Sequence, residues 1–421
     1  MARSIDAGAG PGGGTKRAAP ARLTGWTGYP WVVLAASLLV QTAASFGNQA
    51  ISPLAPFLVE DLGLEKREIG LLVTATYVGA AGILVLAGSL SDRFGVRSLF
   101  LLGMVLAGVP LGLASLAPGY AWLLLPMALY GIGNAFALPP TTRAIVEWFP
   151  TRRRGLAMGI KQTGVALAGT ICGLAVPTLG QAFGWRGVLL ILGVVTVGSG
   201  LLAWLAYRDR VAEPTASTGP RPSFRTVMRD RSLLLLGGVT FLYAGVQLSL
   251  VGFLVLFLTE RAGLGLAEAG ALLALAQAGG VVGRIGWGVV SDTLFGGRRK
   301  IVIGFIGVLA AASLVVLALT GPETPRALLV VTLAVAGVSA IGWNGITMTF
   351  VAELAGRQLS ATAAGMSLTA SYLGIMVCPP IFGLLVDLTG AYTTAFVAGA
   401  IGSLLALGLL WQIRPPSRAT T

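Results

Sequence analysis

The sequence predicts an all-α membrane protein of twelve transmembrane helices in two six-helix bundles, with both termini cytoplasmic. Three observations carry this prediction. Of 421 residues 55% are hydrophobic and 11% charged, where a soluble domain carries about 25% charged residues. Apolar segments long enough to cross about 30 Å of hydrocarbon recur along the whole chain. The basic residues between them gather on alternate connections, as the positive-inside rule requires.

Residues 1–25 (MARSIDAGAGPGGGTKRAAPARLTG) are rich in Gly, Ala and Pro and carry four basic residues. They read as a disordered cytoplasmic tail. The apolar segment behind them has the length of a full span and not of the short h-region of a cleavable signal peptide. Six spans follow, at 31–52, 69–90, 98–117, 120–141, 155–179 and 186–207, and form a first bundle over 26–207. The long polar interval 208–232 (RDRVAEPTASTGPRPSFRTVMRDRS) is a cytoplasmic linker. Spans at 233–258, 268–290, 300–320, 326–352, 361–385 and 391–412 form the second bundle over 233–415, and 416–421 is a short cytoplasmic tail.

With the N-terminus inside, Arg93, Arg97, Arg143, Arg152, Arg153, Arg154, Arg298, Arg299, Lys300 and Arg357 join the basic tails and linker on the cytoplasmic side. Only Lys66, Arg67, Arg186, Arg261 and Arg326 fall outside. The +13 net charge follows from this asymmetry, and no nucleic-acid partner is needed to explain it. The expected location is the cell (inner) membrane, and the expected state a monomer in the lipid bilayer. The chain has no His, which excludes His-metal sites, His-based triads and His proton relays. Cys172 and Cys378 lie inside apolar runs and support neither a disulfide framework nor a zinc site. No metal or cofactor is expected. A membrane-embedded enzyme would need a nucleophile with a base, or a metal cluster, at membrane depth, and the sequence offers neither.

The two halves repeat. A shift of 200 places Glu68, Gly70, Leu72, Gly79, Gly88, Ser91 and Asp92 on Glu268, Gly270, Leu272, Gly279, Gly288, Ser291 and Asp292 without a gap. A shift of 206 places Gly131, Glu147, Ala157, Gly159 and Cys172 on Gly337, Glu353, Ala363, Gly365 and Cys378. Parallel repetition of two six-helix halves is the signature of a transporter whose halves rock around a substrate held between them.

The loop after the second span reads GSLSDRFGVR (88–97), and its counterpart after the eighth reads GVVSDTLFGGRRK (288–300). Asp92 and Asp292 each stand at the C-terminus of a helix, where a carboxylate opposes the helix dipole. Each therefore needs a cation or the N-terminus of another helix. Gly88 and Gly288 allow the close helix approach that such a partner requires. This pattern resembles the signature loop of the major facilitator superfamily, and helix count, linker and repeat extend the resemblance over the chain. The resemblance implies that Gly88, Asp92, Arg93 and Arg97 latch the cytoplasmic side in the outward-open state. In the second copy Thr293 replaces the first Arg and one extra residue precedes the basic cluster, so a latch of Gly288, Asp292 and Arg298 departs from the pattern. The segment RAIVEWFPTRRRG (143–155) sets Glu147 beside Arg143 and the Arg152–Arg154 run as a charge network at the cytoplasmic rim.

Lys161 and Arg284 are the only basic residues within spans, and neither belongs to the repeat: Ser367 and Leu84 hold the matching places. An ionisable residue inside a membrane is a functional hypothesis by default. Arg284 lies about seven residues, or about 10 Å, from the cytoplasmic end of its helix. Side chains lean toward the helix N-terminus, so Arg284 leans to the membrane centre. Gln277, Gly280, Trp287, Gly288 and Ser291 share its face, while Leu275, Val282 and Val289 lie away from it. Lys161 leans the other way, toward the cytoplasm, and is free to snorkel. The stretch GRIGWGVVSD also resembles the eighth helix of oxalate/formate antiporters and monocarboxylate transporters, where an Arg at this position contacts the substrate carboxylate. Gly280 stands where the latter carry an acidic residue, so their proton-coupling scheme does not transfer.

A small organic anion, a mono- or dicarboxylate, is the expected cargo, moved by alternating access with a proton or a second anion as coupling partner. Arg284 is the expected anion ligand and Lys161 a second positive contact on the opposite wall. In the resembling fold, cavity positions fall on Asn48, Gln49, Asn134, Tyr243, Gln247, Trp343, Asn344 and Tyr372, each equally suited to interhelical hydrogen bonding. A proton-coupled exporter of hydrophobic compounds, a carrier of neutral solutes and a non-transporting receptor are the alternatives.

Overall fold

The computed structural model describes residues 28–209 and 228–413, with the side chains at 82, 84–94, 151, 357–358 and 361 outside the description. The tails and most of the linker expected above therefore lie outside the described residues. Within them the chain is all helix, turn and loop, without a strand. In order the helices are α1 Tyr29–Ala44, α2 Phe46–Leu62, α3 Lys66–Ala114, α4 Tyr120–Trp148 and α5 Thr151–Ala206. After the linker come α6 Arg231–Glu260, α7 Leu266–Thr293, α8 Arg299–Ala318 and α9 Arg326–Ala336. A π-helical turn over Gly337–Ile341 leads into α10 Asn344–Thr389, and α11 Tyr392–Gln412 closes the described chain.

Ten helices among the described residues are long and apolar enough to cross a membrane. Three of the elements are helix pairs joined at a single glycine: Gly95 in α3 (φ 75°), Gly184 in α5 (φ 67°) and Gly356 in α10 (φ 69°). A side chain would clash in this left-handed region, so the chain bends sharply at the one residue type that tolerates it. Predicted spans two and three thus lie on either side of Gly95, and five and six on either side of Gly184.

Apolar side chains point both ways, as a lipid solvent allows. Val282 and Val289 are 62% and 55% exposed, whereas Gln277, Gly280, Trp287 and Ser291 on the opposite side of α7 are buried. The helix therefore presents the face expected from its sequence. Small residues bring helices to backbone contact, because lipid gives helices no hydrophobic reason to associate and close packing must substitute. A Cβ on Gly79 or Gly131 would collide with the carbonyl of Ala128 or Thr76 across the α3–α4 seam.

The helices before and after the linker form two halves that meet along two related seams. Gly70 of α3 packs on Pro379 and Pro380 of α10, and Gly173 of α5 packs on Gly270 of α7. From these seams the contacts between halves run inward to the Gln162–Arg284 level. At the far ends every described ion pair stays within one half: Arg143–Glu147 in the first, and Arg299 with Asp292 and Glu353 in the second. Among the described residues, carboxylate contacts join the halves on the face of Lys66 and Asp387, and no ion pair joins them on the face of Glu147 and Arg299.

Candidate functional site

Arg284 stands between the halves. Its Nη1 donates to the backbone carbonyl of Gln162 on α5, 3.2 Å away in the other half. Its Nε is buried without a hydrogen-bond partner. The residue as a whole is half-buried within a helix long and apolar enough to cross a membrane. Tyr77 of α3 lies within electrostatic reach of it. The Tyr77 ring meets Tyr372 of α10 edge-on, with centroids 5.3 Å apart, across the interface between halves. One guanidinium and two phenols, drawn from both halves, thus share a single region.

The α7 backbone behind Arg284 is held rigidly. Gly283 packs on Val338 and Gly342 at the π-turn, and a Cβ on Gly345 would come within 2.6 Å of the Arg284 carbonyl oxygen. Trp287, one turn on, donates its indole N–H to the Val338 carbonyl at 2.7 Å. Val338 belongs to the π-helical turn Gly337–Ile341.

Two turns toward the face of Lys66 and Asp387, Gln277 donates to Gln49 across the interface at 3.2 Å, and Gln49 donates to the Val165 carbonyl at 3.0 Å. Both amides are buried. They form the polar ceiling above Arg284.

Other expected site residues are placed differently. Lys161 does not snorkel: it is 3% exposed, and its Nζ donates to Thr142 of α4 at 3.0 Å within its own half. It neighbours Gln162 on α5. Asn48 and Asn134 gather around the Tyr130 hydroxyl, which accepts from the Asn48 backbone N–H at 3.1 Å and from Asn134 Nδ2 at 3.3 Å. Asn48 Oδ1 remains buried and unpartnered. Gln247 Oε1 accepts from the Trp343 indole at 2.8 Å and from Asn344 at 3.2 Å, tying α6 to the start of α10. Tyr243 turns its hydroxyl onto the Ile303 carbonyl of α8 at 3.1 Å, inside the second half. Packing occupies it.

On the face of Glu147 and Arg299, the side chains of Asp92 and Arg93, and Gly88 with them, fall outside the described residues. Arg97 donates to the Trp204 carbonyl at 2.8 Å and stacks 4.3 Å from that indole. Asp209 accepts the Val96 and Arg97 backbone N–H groups that follow the Gly95 bend. Arg97 thus ties the first half to itself. Glu147 pairs with Arg143 at 2.6 Å and accepts from the Tyr207 hydroxyl at 3.0 Å, while Arg152 and Arg153 are exposed beside it. Asp292 does find a cation, but Arg299 and not Arg298 supplies it, at 2.6 Å. Arg298 is exposed. Gly297 (φ 76°) stands five residues after Asp292 where Gly95 stands three after Asp92, a register shift of two, so that Arg299 follows Gly297 two residues on, as Arg97 follows Gly95. Nothing among the described residues lies within 4 Å of a Cβ built on Gly288, so the close helix approach expected there is not seen among them.

Tyr77, Gln162, Gln277 and Arg299 were not singled out from the sequence. Tyr77 and Gln277 were visible as polar groups on apolar spans, and Gln277 had been placed on the Arg284 face. Gln162 acts through its backbone carbonyl, which no side-chain pattern reveals.

Closely packed membrane-crossing helices, repeated halves and a charged side chain at the interface define a multi-pass membrane transporter and not an enzyme. Residues 37–377 match the Major Facilitator Superfamily, and the chain belongs to that family. A probable sulfoacetate transporter of Cupriavidus necator is 27% identical over 90% of this chain and 92% of its own length. A hexuronate transporter of Bacillus subtilis is 24% identical over 87% and 91%. Human monocarboxylate transporter 11 is 28% identical over 91% and 83%. Among solved structures, a bacterial homologue of the human lysosomal transporter Spinster, inward-facing and unoccupied, superposes with a TM-score of 0.78. It is 20% identical and covers 92% of this chain and 97% of that one.

Proposed function

We propose that this protein is a twelve-helix carrier with both termini in the cytoplasm that moves a small organic anion by alternating access. Twelve spans follow when the ten apolar helices are joined by the α3 segment before Gly95 and the long α5 helix is divided at Gly184. On this topology the cleft opens to the cytoplasm and the described conformation is inward-open.

The observation that carries the reading is Arg284. Its guanidinium lies between the halves, donates there to a backbone carbonyl, and keeps a buried N–H without a partner among the described residues. A carboxylate or sulfonate supplies the paired acceptors that a guanidinium fork is built to hold. Tyr77 and Tyr372 supply hydroxyl donors from both halves. Relatives named for sulfoacetate, hexuronate and monocarboxylates support an anionic cargo. Lys161, turned onto Thr142, acts as a fixed positive charge that favours anions in the cleft without touching them. Asn48, Asn134 and the Gln247–Trp343–Asn344 group shape the two walls.

Binding of a series of small mono- and dicarboxylates and sulfonates to purified protein tests the reading. Affinity confined to neutral or cationic compounds would overturn it in favour of a drug exporter or a neutral-solute carrier.

A further inference from the structure

We propose that Asp387, supported by Glu260 and Lys66, is a latch that holds the two halves together on the closed face and so stabilises the inward-open state. The proposal rests on the alternating-access reading above.

Asp387 lies two residues before the end of α10 at Thr389. A carboxylate there opposes the dipole of its own helix. It is stabilised by a foreign one. The Lys66 backbone N–H donates to Oδ1 at 2.9 Å and the Arg67 N–H to Oδ2 at 2.8 Å. These are the first two residues of α3, in the other half. The first N–H groups of a helix have no partner inside it, and α3 divides the task. Its own capping box uses the Glu65 side chain to accept the Glu68 N–H and the Glu68 side chain to accept the Glu65 N–H. The two remaining N–H groups at Lys66 and Arg67 are left for the opposite half of the molecule.

A second contact lies beside the first. Lys66 Nζ pairs with Glu260 at 2.6 Å, and Tyr392 donates to the other Glu260 oxygen at 2.9 Å, fixing that carboxylate to its own half. Beneath both, Gly383 lets α10 approach the Lys66 carbonyl at backbone distance.

The repeat argues that this is not a demand of the scaffold. The Gly70–Pro379 seam has a counterpart in Gly270–Gly173, at the same shifts of 200 and 206. At those shifts Gln181 stands for Asp387, while Leu266 and Ala267 stand for Lys66 and Arg67. The helix contact exists in both copies. The carboxylate exists in one.

The test is a distance measurement on the full chain in lipid nanodiscs without substrate. Spin labels are placed at Leu116 and Leu319, which are 75% and 78% exposed at the closed-face ends of the two halves. Unlatched protein is expected to show a second, longer distance. Asp387→Asn should raise the ratio of long to short distances about tenfold or more, as loss of charge-assisted hydrogen bonds requires. Glu260→Gln and Lys66→Met should each give a smaller rise, and their combination no more than the larger single effect, because both remove the same pair. Asp387→Glu should stay near wild type. Distributions unchanged in Asp387→Asn, or in both Glu260→Gln and Lys66→Met should the first fail to fold, overturn the latch. Gly70→Leu, which wedges the seam apart, separates the two ideas: long distances there alone refute the latch, whereas one distance in every variant refutes the two-state carrier as well.

Discussion

Replacing Arg284 tests the anion site most directly, and its magnitude follows from the geometry. The guanidinium lies between the halves and is half-buried, so an anion bound there is partly desolvated. Removing one partner of a buried charge pair costs about 2–5 kcal/mol, which is about 30- to 4,000-fold in Kd at about 1.4 kcal/mol per tenfold. Arg284→Gln should fall in that range. Arg284→Lys keeps the charge but loses the fork. One charge-assisted hydrogen bond, about 1.5–3 kcal/mol, is then lost, or about 10- to 150-fold. Direct binding of a radiolabelled carboxylate to protein in nanodiscs measures both, and counterflow in proteoliposomes reports whether transport falls in parallel. The ordering matters as much as the size: wild type, then Lys, then Gln. Wild-type affinity in both variants, or an equal loss in both, would refute the reasoning, since the first removes the ligand role and the second the role of charge.

Three further outcomes follow from other contacts. A cognate anion at about 100 times its Kd should stabilise the folded protein by about 2.7 kcal/mol, seen as a raised melting temperature that Arg284→Gln abolishes. Gly283→Ala drives a methyl group into the Val338 carbonyl; overpacking of this kind costs about 1–3 kcal/mol, and it should lower both thermal stability and anion affinity because the Arg284 backbone moves with it. Arg299→Gln should lower stability by about 1 kcal/mol, in line with partly exposed ion pairs, while Arg298→Gln leaves the melting temperature unchanged.

Much of the fold was legible because a bilayer imposes strong rules on composition. Apolar length and basic asymmetry are properties of the chain itself, and the face of α7 followed from helical periodicity. The bends at Gly95, Gly184 and Gly356 were not visible: each glycine sits among many others, and only its φ angle sets it apart. The site was legible where a side chain conflicts with its solvent. Arg284 announces itself because a cation in an apolar span demands a reason. Lys161 obeyed the same signal yet turned inward onto Thr142, because a short hydroxyl on α4 satisfied it before the membrane surface did. Gln162 contributes a carbonyl that every residue possesses. The physics assigned to Asp92 and Asp292 is that a carboxylate at a helix end needs a cation or another helix's N-terminus. Asp292 takes the cation Arg299, Asp387 on the opposite face takes the N-terminus of α3, and the Asp92 side chain lies outside the described residues.

The seams at Gly70–Pro379 and Gly173–Gly270 bear on speed. Interlocked side chains must unthread and change rotamer before two helices part, and each such step adds to the activation barrier. Here backbone lies against backbone, and there is little to unthread. If the halves rock as proposed, such surfaces separate as smooth plates do, and the frequency of reorientation is left to the few polar fastenings spaced along them. On that reading turnover is tuned by single residues at the rim, while the packing of the seam stays as it is.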